Sequence, residues 1–577
     1  MKRVLFLFFS TLTMLCMLAL PACDGQTPPV CTDHAYTQTV TPPTETQPGY
    51  TTFTCSVCGD TYVGDETPAT GKTYEFAYTV NADGKTCTLT GPGTWADTEL
   101  TIPEHIQGYT VTAIGARAFE RQARLTKVVI PNTVKTISAR AFAVCESLTD
   151  IEIPNSVTSI GDEVFVECWS LSDIALPDGI PSIGASAFSH TGLQDIKIPS
   201  SVVSIGDYAF NTCTSLTSVS IPSSVTSIGF SAFASTGLES VEIPGSVQSI
   251  GDYAFSYCDR LENVHMSVGV FYIGAGAFAS CTSLTSMDIP NSVDSIGYGA
   301  FRDCKQLSRV TIPESVKSIA DSAFLFCHSI REVHITNWDT WLDITFESAA
   351  SNPWGMGTVL YLNGEILSEY VIPDTVTSIK SYAFANRADL TSIEIPDSVW
   401  GIGEGAFEGT GLTSIDIPDS VMIIGPQAFK HCKYLTSVTI GNGVKEIGDK
   451  AFEGCTGLID ITIGNSVESI GVYAFSECTG VTGIELPDSL VSIDHFAFYC
   501  CTRLTSIRIP QNVTKIGDRA FIGCVSMENA IFDRADGWIS EMIGSDDIVF
   551  AAEELADPEK AAEYLTNVFG RNAWTRK

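Results

Sequence analysis

Residues 216–233 read LTSVSIPSSVTSIGFSAF, and this stretch decides the fold because it recurs along most of the chain. Its Ala-Phe ending, or a Val-Phe variant, returns every 22 or 23 residues, apart from one interval of 60 between Phe324 and Phe384. A fixed period of this size predicts a solenoid, in which each repeat forms one coil. The repeat phenylalanines are Phe119, Phe142, Phe165, Phe188, Phe210, Phe233, Phe255, Phe278, Phe301, Phe324, Phe384, Phe407, Phe429, Phe452, Phe475, Phe498 and Phe521.

Each repeat reads as one coil with a shared core. The apolar residues of Leu216–Ile221 are expected to point inward from an extended run that Pro222 ends, because proline cannot donate to a strand ladder. Val225–Ile228 forms a second short run, and Phe233 is expected on a short helical turn with its ring at the centre. One coil buries about eight apolar side chains at roughly 1.5–3 kcal/mol each. Ordering costs about 1–2 kcal/mol per residue, so a coil is stable only when it stacks on others.

The consensus L-x-x-I-x-I-P-x-x-V-x-x-I-G-x-x-A-F-x-x-C resembles the BspA-like leucine-rich repeat family of bacterial surface proteins, over residues 75–540. The resemblance implies a repeat solenoid of the leucine-rich-repeat type, a β-rich right-handed superhelix with short helical turns. It also implies adhesion or protein–protein binding through the solenoid face, since such proteins are associated with attachment to extracellular-matrix proteins and to other bacteria. The alternative is a surface protein that captures glycans or peptides, or serves a structural role, without adhesion.

Turn-forming and helix-boundary residues predict the other segments of the chain. A hairpin is expected over Phe76–Thr90, around the turn Asn81–Gly84. A helix is expected over Glu553–Phe569, entered at Asp557 before a proline. The predicted segments are an export signal (1–22), a tether (23–30), a small Cys/His module (31–72), an N-terminal cap hairpin with the first coil (73–118), leucine-rich repeats (119–330), a longer divergent repeat (331–372), leucine-rich repeats (373–540) and a C-terminal cap with a helix (541–577).

The amino terminus predicts export. Lys2 and Arg3 precede the apolar run Val4–Leu20, which is the pattern of a signal peptide. The sequence Leu-Pro-Ala-Cys that ends at Cys23 resembles a bacterial lipobox, in which the cysteine receives lipid. We therefore expect a chain that is lipid-anchored at the cell surface through Cys23 and touches the membrane only through that anchor. Ordinary secretion is the alternative.

Two short cysteine motifs follow. Cys31 and His34 form a CxxH pair, and Cys55 and Cys58 form a CxxC pair that Gly59 follows. These spacings can place four nitrogen and sulfur ligands around one zinc ion. The segment resembles a zinc-ribbon-like module of bacterial surface proteins, and its zinc would be structural because the four ligands leave no open position. The alternative is a disulfide between Cys55 and either Cys58 or Cys31, because exported chains meet oxidants.

Twelve cysteines fall three residues after a repeat phenylalanine. Thr191, Thr236 and Thr410 take this place in other repeats, and a framework disulfide would not be exchanged so freely for threonine. We expect small buried free thiols stacked as a ladder, with Cys87 and Cys500 outside it. The ladder comprises Cys145, Cys168, Cys213, Cys258, Cys281, Cys304, Cys327, Cys432, Cys455, Cys478, Cys501 and Cys524.

Charge and motifs exclude several functions. The chain carries 67 acidic against 32 basic residues, a net charge of −35, which argues against a nucleic-acid partner. It lacks the His-Glu-x-x-His, Gly-x-Ser-x-Gly and phosphate-loop motifs, so we expect no enzyme and no cofactor beyond the one zinc. Acidic residues after the Ile-Gly corner predict a solvated charged edge, or a weak site for divalent cations; they are Asp162, Asp207, Asp252, Asp449 and Asp518.

The predicted binding residues are exceptions to a polar pattern. Outward strand positions are dominated by Ser and Thr, but Phe271, Tyr272, Trp400, Met422 and Ile423 break this rule. The last three lie in adjacent repeats, and exposed aromatic and methionine side chains are typical anchors of partner binding. We expect them to form one apolar patch that takes an extracellular protein or glycan. The alternative is that they pack against the divergent segment or a lateral contact.

Overall fold

The computed structural model describes residues 35–41, 49–57, 59, 61–67, 74–355, 357–541, 548–567 and 569–576. The chain divides into two compact units, Met1–Glu75 and Phe76–Lys577. The predicted export signal, the tether and Cys23 lie outside the described residues.

The first unit contains a three-stranded antiparallel sheet. Its strands are Tyr36–Thr41, Gly49–Cys55 and Thr61–Thr67, with the middle strand paired to both others. Phe53 and Tyr62 stack on neighbouring strands with ring centroids 4.8 Å apart.

The second unit is a solenoid, as predicted. Each coil contributes up to two short strands, and most strands pair in parallel with their counterpart in the next coil, with interruptions such as that between Ser159–Ile160 and Ser182–Ile183. Ser227–Ile228, for example, lies between Ser204–Ile205 and Ser249–Ile250. The interior of every coil is filled by the alternate apolar side chains of these runs. The two-residue period of a strand thus accounts for the repeated Ile-x-Ile and Ser-Ile patterns.

The strands fall into two series. The first-run strands are Glu99–Thr101, Lys127–Val129, Asp150–Glu152, Asp195–Lys197, Ser218–Ser220, Ser240–Ile243, Asn263–Met266, Ser286–Asp288, Arg309–Ile312, Glu332–Ile335, Val359–Leu362, Ser414–Ile417, Ser437–Ile440, Asp460–Ile463, Gly483–Ile484, Ser506–Ile509 and Asn529–Phe532. The second-run strands are Tyr109–Ile114, Thr136–Ile137, Ser159–Ile160, Ser182–Ile183, Ser204–Ile205, Ser227–Ile228, Ser249–Ile250, Tyr272–Ile273, Ser295–Ile296, Ser318–Ile319, Thr345–Phe346, Ser378–Ile379, Gly401–Ile402, Ile423–Ile424, Glu446–Ile447, Ser469–Ile470, Ser492–Ile493 and Lys515–Ile516.

The segment that carries the repeat phenylalanine consists of hydrogen-bonded turns, where a short helical turn was expected. Phe142 N donates to Val164 O of the next coil at 3.1 Å, whereas Ala143 N donates to Arg140 O of its own coil at 3.1 Å. The backbone therefore alternates between bonds within a coil and bonds to the next, with Arg140 at φ 60°. A continuous helix would use these N–H groups internally and leave the neighbouring coil without donors.

The phenylalanine rings form a stacked column at the centre of the coils. Successive rings from Phe119 to Phe324, and again from Phe384 to Phe521, have centroids 5.1 to 5.9 Å apart and lie nearly parallel. Offset-stacked aromatic pairs contribute about 0.5–1.5 kcal/mol beyond their burial. Each ring thus stabilises the contact with both neighbouring coils.

The twelve ladder cysteines lie beside this column, all buried and without disulfides. Each thiol donates to the carbonyl of the repeat phenylalanine one coil earlier, as Cys145 does to Phe119 at 3.2 Å. Thr191 instead donates to its own coil's Phe188 at 2.9 Å. Burial raises the pKa of the Cys213 thiol to about 11, which keeps it protonated as a donor.

The divergent repeat forms a seam between two arrays. The sheet of second-run strands ends at Thr345–Phe346 and a new sheet begins at Ser378–Ile379. A short helix, Trp338–Leu342, fills part of the gap, capped by the side chain of Asn337. The buried ring of Trp354 lies 6.1 Å from Phe384 and continues the aromatic core there. Side chains thus replace the strand ladder at this point.

Arg387 is the central side chain of the seam. It is buried, and its Nη1 donates to Gly355 O at 3.0 Å and to Thr358 O at 2.6 Å. Its Nη2 bonds Asp389, and its guanidinium carbon lies 4.4 Å from the centre of the Trp354 ring. Asn352 Nδ2 adds bonds to the backbone of the coil that carries Phe384, including one to Ala383 O at 3.2 Å.

Both ends of the solenoid are capped. The strands Ala77–Val80 and Thr86–Gly91 form the predicted antiparallel hairpin, and Phe76 packs edge-on against Phe119 at 6.4 Å. Short strands at His105–Ile106 and Glu365–Ile366 pair antiparallel with Tyr109–Ile114 and Val359–Leu362.

The C-terminal cap differs from the sequence-based expectation. The helix expected over Glu553–Phe569 is two helices, Ala552–Leu555 and Pro558–Thr566, followed by a 3-10 turn at Phe569–Arg571. Pro558 starts the second helix because it has no N–H to continue the first. The last strand, Ala573–Arg576, pairs antiparallel with the final second-run strand and with Trp538–Glu541, which also pairs with Ile548–Val549. This strand covers the open edge of the last coil.

Removing one ring of the column should destabilise the solenoid strongly. We expect Phe278→Ala to lower the free energy of unfolding by about 3–5 kcal/mol, since it opens a cavity between two stacked rings. Phe271→Ala, in the same coil, removes a half-exposed ring and should change the free energy of unfolding by less than about 0.5 kcal/mol. Urea denaturation of both variants measures the difference; equal effects would contradict a central column.

Loss of Arg387 should uncouple the two arrays. Arg387→Ala leaves the buried Thr358 carbonyl without a donor and the Gly355 carbonyl with only the 3.3 Å bond from Thr358 N, which costs about 1–3 kcal/mol for the unsatisfied group. We expect the single thermal transition to broaden or split in calorimetry, while the exposed control Arg503→Ala melts like the parent. An unchanged transition in Arg387→Ala would show that the seam does not depend on this side chain.

Candidate interaction surface

Trp400, Met422 and Ile423 lie together on the outer face of the second-run sheet. Trp400 N donates to Thr377 O at 2.9 Å, and Met422 N donates to Trp400 O at 2.8 Å. These bonds hold Trp400 and Met422 at the same position of adjacent coils, about 4.8 Å apart. Ile423 pairs with Gly401, which has no side chain to separate the Trp400 and Ile423 side chains. We call these three residues the Trp400 patch.

The Trp400 patch is open to solvent. Its three side chains are between 47% and 53% exposed, so the described part of the divergent segment does not cover them. A shallow cavity of about 300 Å³ lies beside them, lined by Trp400, Ile423, Lys380 and the backbone of Gly401 and other residues. Because every strand here is bonded to both neighbours, the apolar surface is displayed on a fixed backbone.

Phe271 and Tyr272 do not join the Trp400 patch. They lie in the first array, where the strand Tyr272–Ile273 pairs with Ser249–Ile250 and Ser295–Ile296 and Phe271 directly precedes it. Phe271 is half exposed, while burial and then the charge of Asp252 raise the pKa of the Tyr272 hydroxyl. The structure thus unites three of the five predicted binding residues and separates the other two.

The acidic edge is exposed to solvent, as predicted, and it is also hydrogen-bonded to the fold. Asp207 Oδ1 accepts from Phe230 N of the next coil at 2.8 Å. Asp162, Asp252 and Asp449 make the same contact. At Asp518 the roles change, since its own N–H donates to His495 Nδ1 at 3.1 Å. The other four carboxylates satisfy backbone donors. Over the described ranges, no group of three or more His, Cys, Asp or Glu residues is arranged to hold a metal ion.

Of the four predicted zinc ligands, only Cys55 is described; Cys31, His34 and Cys58 lie outside the described residues. Cys55 is buried at the end of the strand Gly49–Cys55. Gly59 N donates to Cys55 O at 2.9 Å, and Gly59 has a φ of 75°, which favours glycine. A tight turn therefore follows Cys55, as a paired-cysteine metal knuckle requires.

The turns around the repeat phenylalanines form one edge of the solenoid, which we call the turn edge. It carries four exposed aromatic rings that were not predicted from sequence. Tyr253, Tyr257, Tyr298 and Phe326 are all at least one third exposed and line one cavity. The binding residues predicted from sequence all occupy outward strand positions, whereas these four lie close to the repeat Ala-Phe pair or directly before the ladder cysteine. Bulky aromatics at turn positions where other repeats carry Asp, Ser or Thr were the available signal.

A model of the family described as "BspA type Leucine rich repeat region (6 copies)" matches residues 112–236, 226–350, 358–482 and 445–542. These matches span more than half of the chain. The chain belongs to the BspA-type leucine-rich repeat family. No curated protein matches it. Along the described part of this BspA-type chain, no helix has the length and apolar character needed to cross a membrane.

Several solved leucine-rich repeat structures are similar to this BspA-type chain. A leucine-rich repeat protein from Bacteroides ovatus is 25% identical, with 80% of this chain and 94% of that chain covered and a TM-score of 0.40. A leucine rich cell surface protein from Faecalibacterium prausnitzii is 25% identical, with 82% and 96% covered and a TM-score of 0.26. The T. pallidum leucine-rich repeat protein is 26% identical, with 36% and 87% covered and a TM-score of 0.30.

Proposed function

We propose that this chain is an exported bacterial surface protein that binds an extracellular protein through the Trp400 patch, and so mediates adhesion. The observation that carries the proposal is the exposure of Trp400, Met422 and Ile423 side by side on a hydrogen-bonded sheet. Tryptophan is among the residues enriched at binding hot spots, and apolar side chains displayed together mark interaction sites.

The surroundings of the Trp400 patch fit such a role. Neighbouring outward positions carry Ser378, Lys380 and Ser381, a polar rim around an apolar centre. The backbone beneath is ordered before any partner arrives, so binding pays little ordering entropy. The net charge of −35 favours a partner with neutral or basic surface and disfavours nucleic acid.

The proposal includes a place for the protein outside the cytoplasm. The signal-like run before Cys23 supports export, and the lipobox-like ending supports lipid attachment at that cysteine, with secretion as the alternative. An anchored chain would present the Trp400 patch at the cell surface. No residue is assigned to catalysis, since the patch has no nucleophile or paired acid and base.

Trp400→Ala should weaken binding to matrix proteins by about 30-fold or more, the effect of losing a hot spot of about 2 kcal/mol. The measurement is biolayer interferometry of the full chain against immobilised fibronectin, laminin and collagen. Trp169→Ala is the matched control, because Trp169 is 51% exposed but lies in the first array, whereas the Trp400 patch lies in the second. Circular dichroism checks that both variants keep the parent fold.

Two results would contradict the adhesion proposal. One is absence of binding to all three matrix proteins by the parent chain. The other is binding that Trp400→Ala and Trp169→Ala weaken equally, because a patch-specific contact should respond only to the first change.

We also propose one structural zinc held by Cys31, His34, Cys55 and Cys58. The buried position of Cys55 and the tight turn at Gly59 support it. Three thiolates and one imidazole leave no open position, so the ion would contribute folding energy to the first unit.

Metal analysis tests this site. We expect about one zinc per chain in protein purified without chelators, and Cys55→Ser should lower the zinc content. Thr54→Ser, in the same strand, is the control that should keep it. A zinc-free parent chain, with a disulfide at Cys55 found by peptide mass spectrometry, would favour the alternative.

A further inference from the structure

A cavity of about 470 Å³ lies at the turn edge of the first array, away from the Trp400 patch. Its floor is formed by Gly276 and Gly299, which occupy the same position in adjacent coils, two residues before the repeat phenylalanine. Its walls are the rings of Tyr253, Tyr298 and Phe326, together with Tyr257. We call this cavity the turn-edge slot.

The slot exists because two successive coils carry no side chain at that position. In other coils the same row can carry a bulky side chain: Tyr473 and Phe496 stack at 4.5 Å, and Arg519 lies 5.3 Å from the Phe496 ring. At Gly299 an added Cβ would meet nothing closer than Arg302 Cβ at 3.6 Å. The space above Gly299 is therefore open, although the fold accepts side chains in this row.

The rings of the slot are available to a ligand. They are between 37% and 60% exposed. In the part of the chain that the structure describes, the hydroxyls of Tyr253, Tyr257 and Tyr298 make no hydrogen bond, and neither Tyr257 nor Tyr298 has a ring contact. Tyr253 is held on one side by Phe230, whose ring centre lies 5.7 Å away. It is held on the other side by Gly276, where a Cβ would come within 2.4 Å of the tyrosine ring.

Polar groups lie between the rings. Tyr257, Ser280, Asp303 and Phe326 occupy one row, each just before the ladder cysteine, in four consecutive coils. At about 4.8 Å per coil this row spans roughly 14 Å. A ring thus stands at each end, with a hydroxyl and a carboxylate between them. The guanidinium carbon of Arg302 lies 5.7 Å from the centre of the Phe326 ring and adds donors at that end.

We propose that the turn-edge slot binds a neutral oligosaccharide. A sugar ring has an apolar C–H face that packs on the electron-rich face of an aromatic ring, and an edge of hydroxyls that needs donors and acceptors. The slot alternates aromatic faces with hydrogen-bonding groups, over a length greater than that of one sugar ring. Asp303 pairs with Lys305 Nζ at 3.6 Å, and the net charge of −35 disfavours an anionic sugar.

An extended peptide fits less well. Peptides that add to a sheet edge need unpaired backbone donors and acceptors. Here Ser280 N already donates to Arg302 O at 2.7 Å, and Asp303 N to Leu325 O at 2.8 Å. The row offers side chains, and its backbone is already paired between coils.

The test is isothermal titration of the full chain with three neutral probes, maltotetraose, cellotetraose and mannotetraose. Gly299→Gln fills the slot with a residue the row tolerates, since Gln427 holds this position at φ 57°. Tyr257→Ala removes one wall. The matched controls are Lys450→Gln, in the same row, and Tyr434→Ala, a tyrosine that is 66% exposed elsewhere.

We expect at least one probe to bind the parent chain and both controls, and to bind Gly299→Gln and Tyr257→Ala at least tenfold more weakly. Absence of binding by all three probes overturns the proposal, as does a loss smaller than tenfold in either slot variant. Trp400→Ala should bind the probe like the parent, so this test is independent of the adhesion proposal.

Discussion

The close approach of successive backbones constrains every other feature of the solenoid. An added Cβ at Gly229 would lie 2.7 Å from Asp207 N and from Gly206 C of the preceding coil. A side chain there needs the neighbouring backbone to shift, so glycine follows the second-run isoleucine in most coils, and Ser138, Ala320, Lys380 and Asp494 take its place in four others. Because the backbones are this close, alternate N–H groups around each phenylalanine can donate to the next coil. The same spacing between coils leaves room in the core for one phenylalanine ring per coil.

The positions that this constraint does not restrict are the ones that can carry function. Inward positions must repeat, because each contacts its counterparts above and below. Outward positions meet only solvent, so they can change from Ser to Trp without cost to the ladder. The Trp400 patch and the turn-edge slot both arise in this way: one adds bulk to a polar face, and the other removes bulk from a row that carries long side chains in several other coils.

The structural features that could be predicted from sequence are those that recur in every repeat. The period, the strands, the central phenylalanine and the cysteine row could be read from residues 216–233 and their copies. The seam could not, because Arg387 acts once, by satisfying carbonyls some 30 residues away that no pattern marks. The final strand Ala573–Arg576 was missed for a similar reason, since its partner at Lys515–Ile516 is distant in sequence. The sequence predicts a short helical turn at the phenylalanine, because nothing within one repeat indicates the hydrogen bonds to the next coil.

The central claim is that binding side chains stand on backbone that is bonded coil to coil. Hydrogen–deuterium exchange of the free full chain tests it most directly at the amides of Trp400 and Met422. The amide of Trp400 donates to Thr377 O, and the amide of Met422 donates to Trp400 O. The equivalent bond in the first array joins Thr226 N to Val203 O at 2.8 Å. The account predicts that all three amides exchange slowly and at similar rates. Exchange of Trp400 and Met422 at the rate of an unstructured peptide, with Thr226 protected, would contradict it.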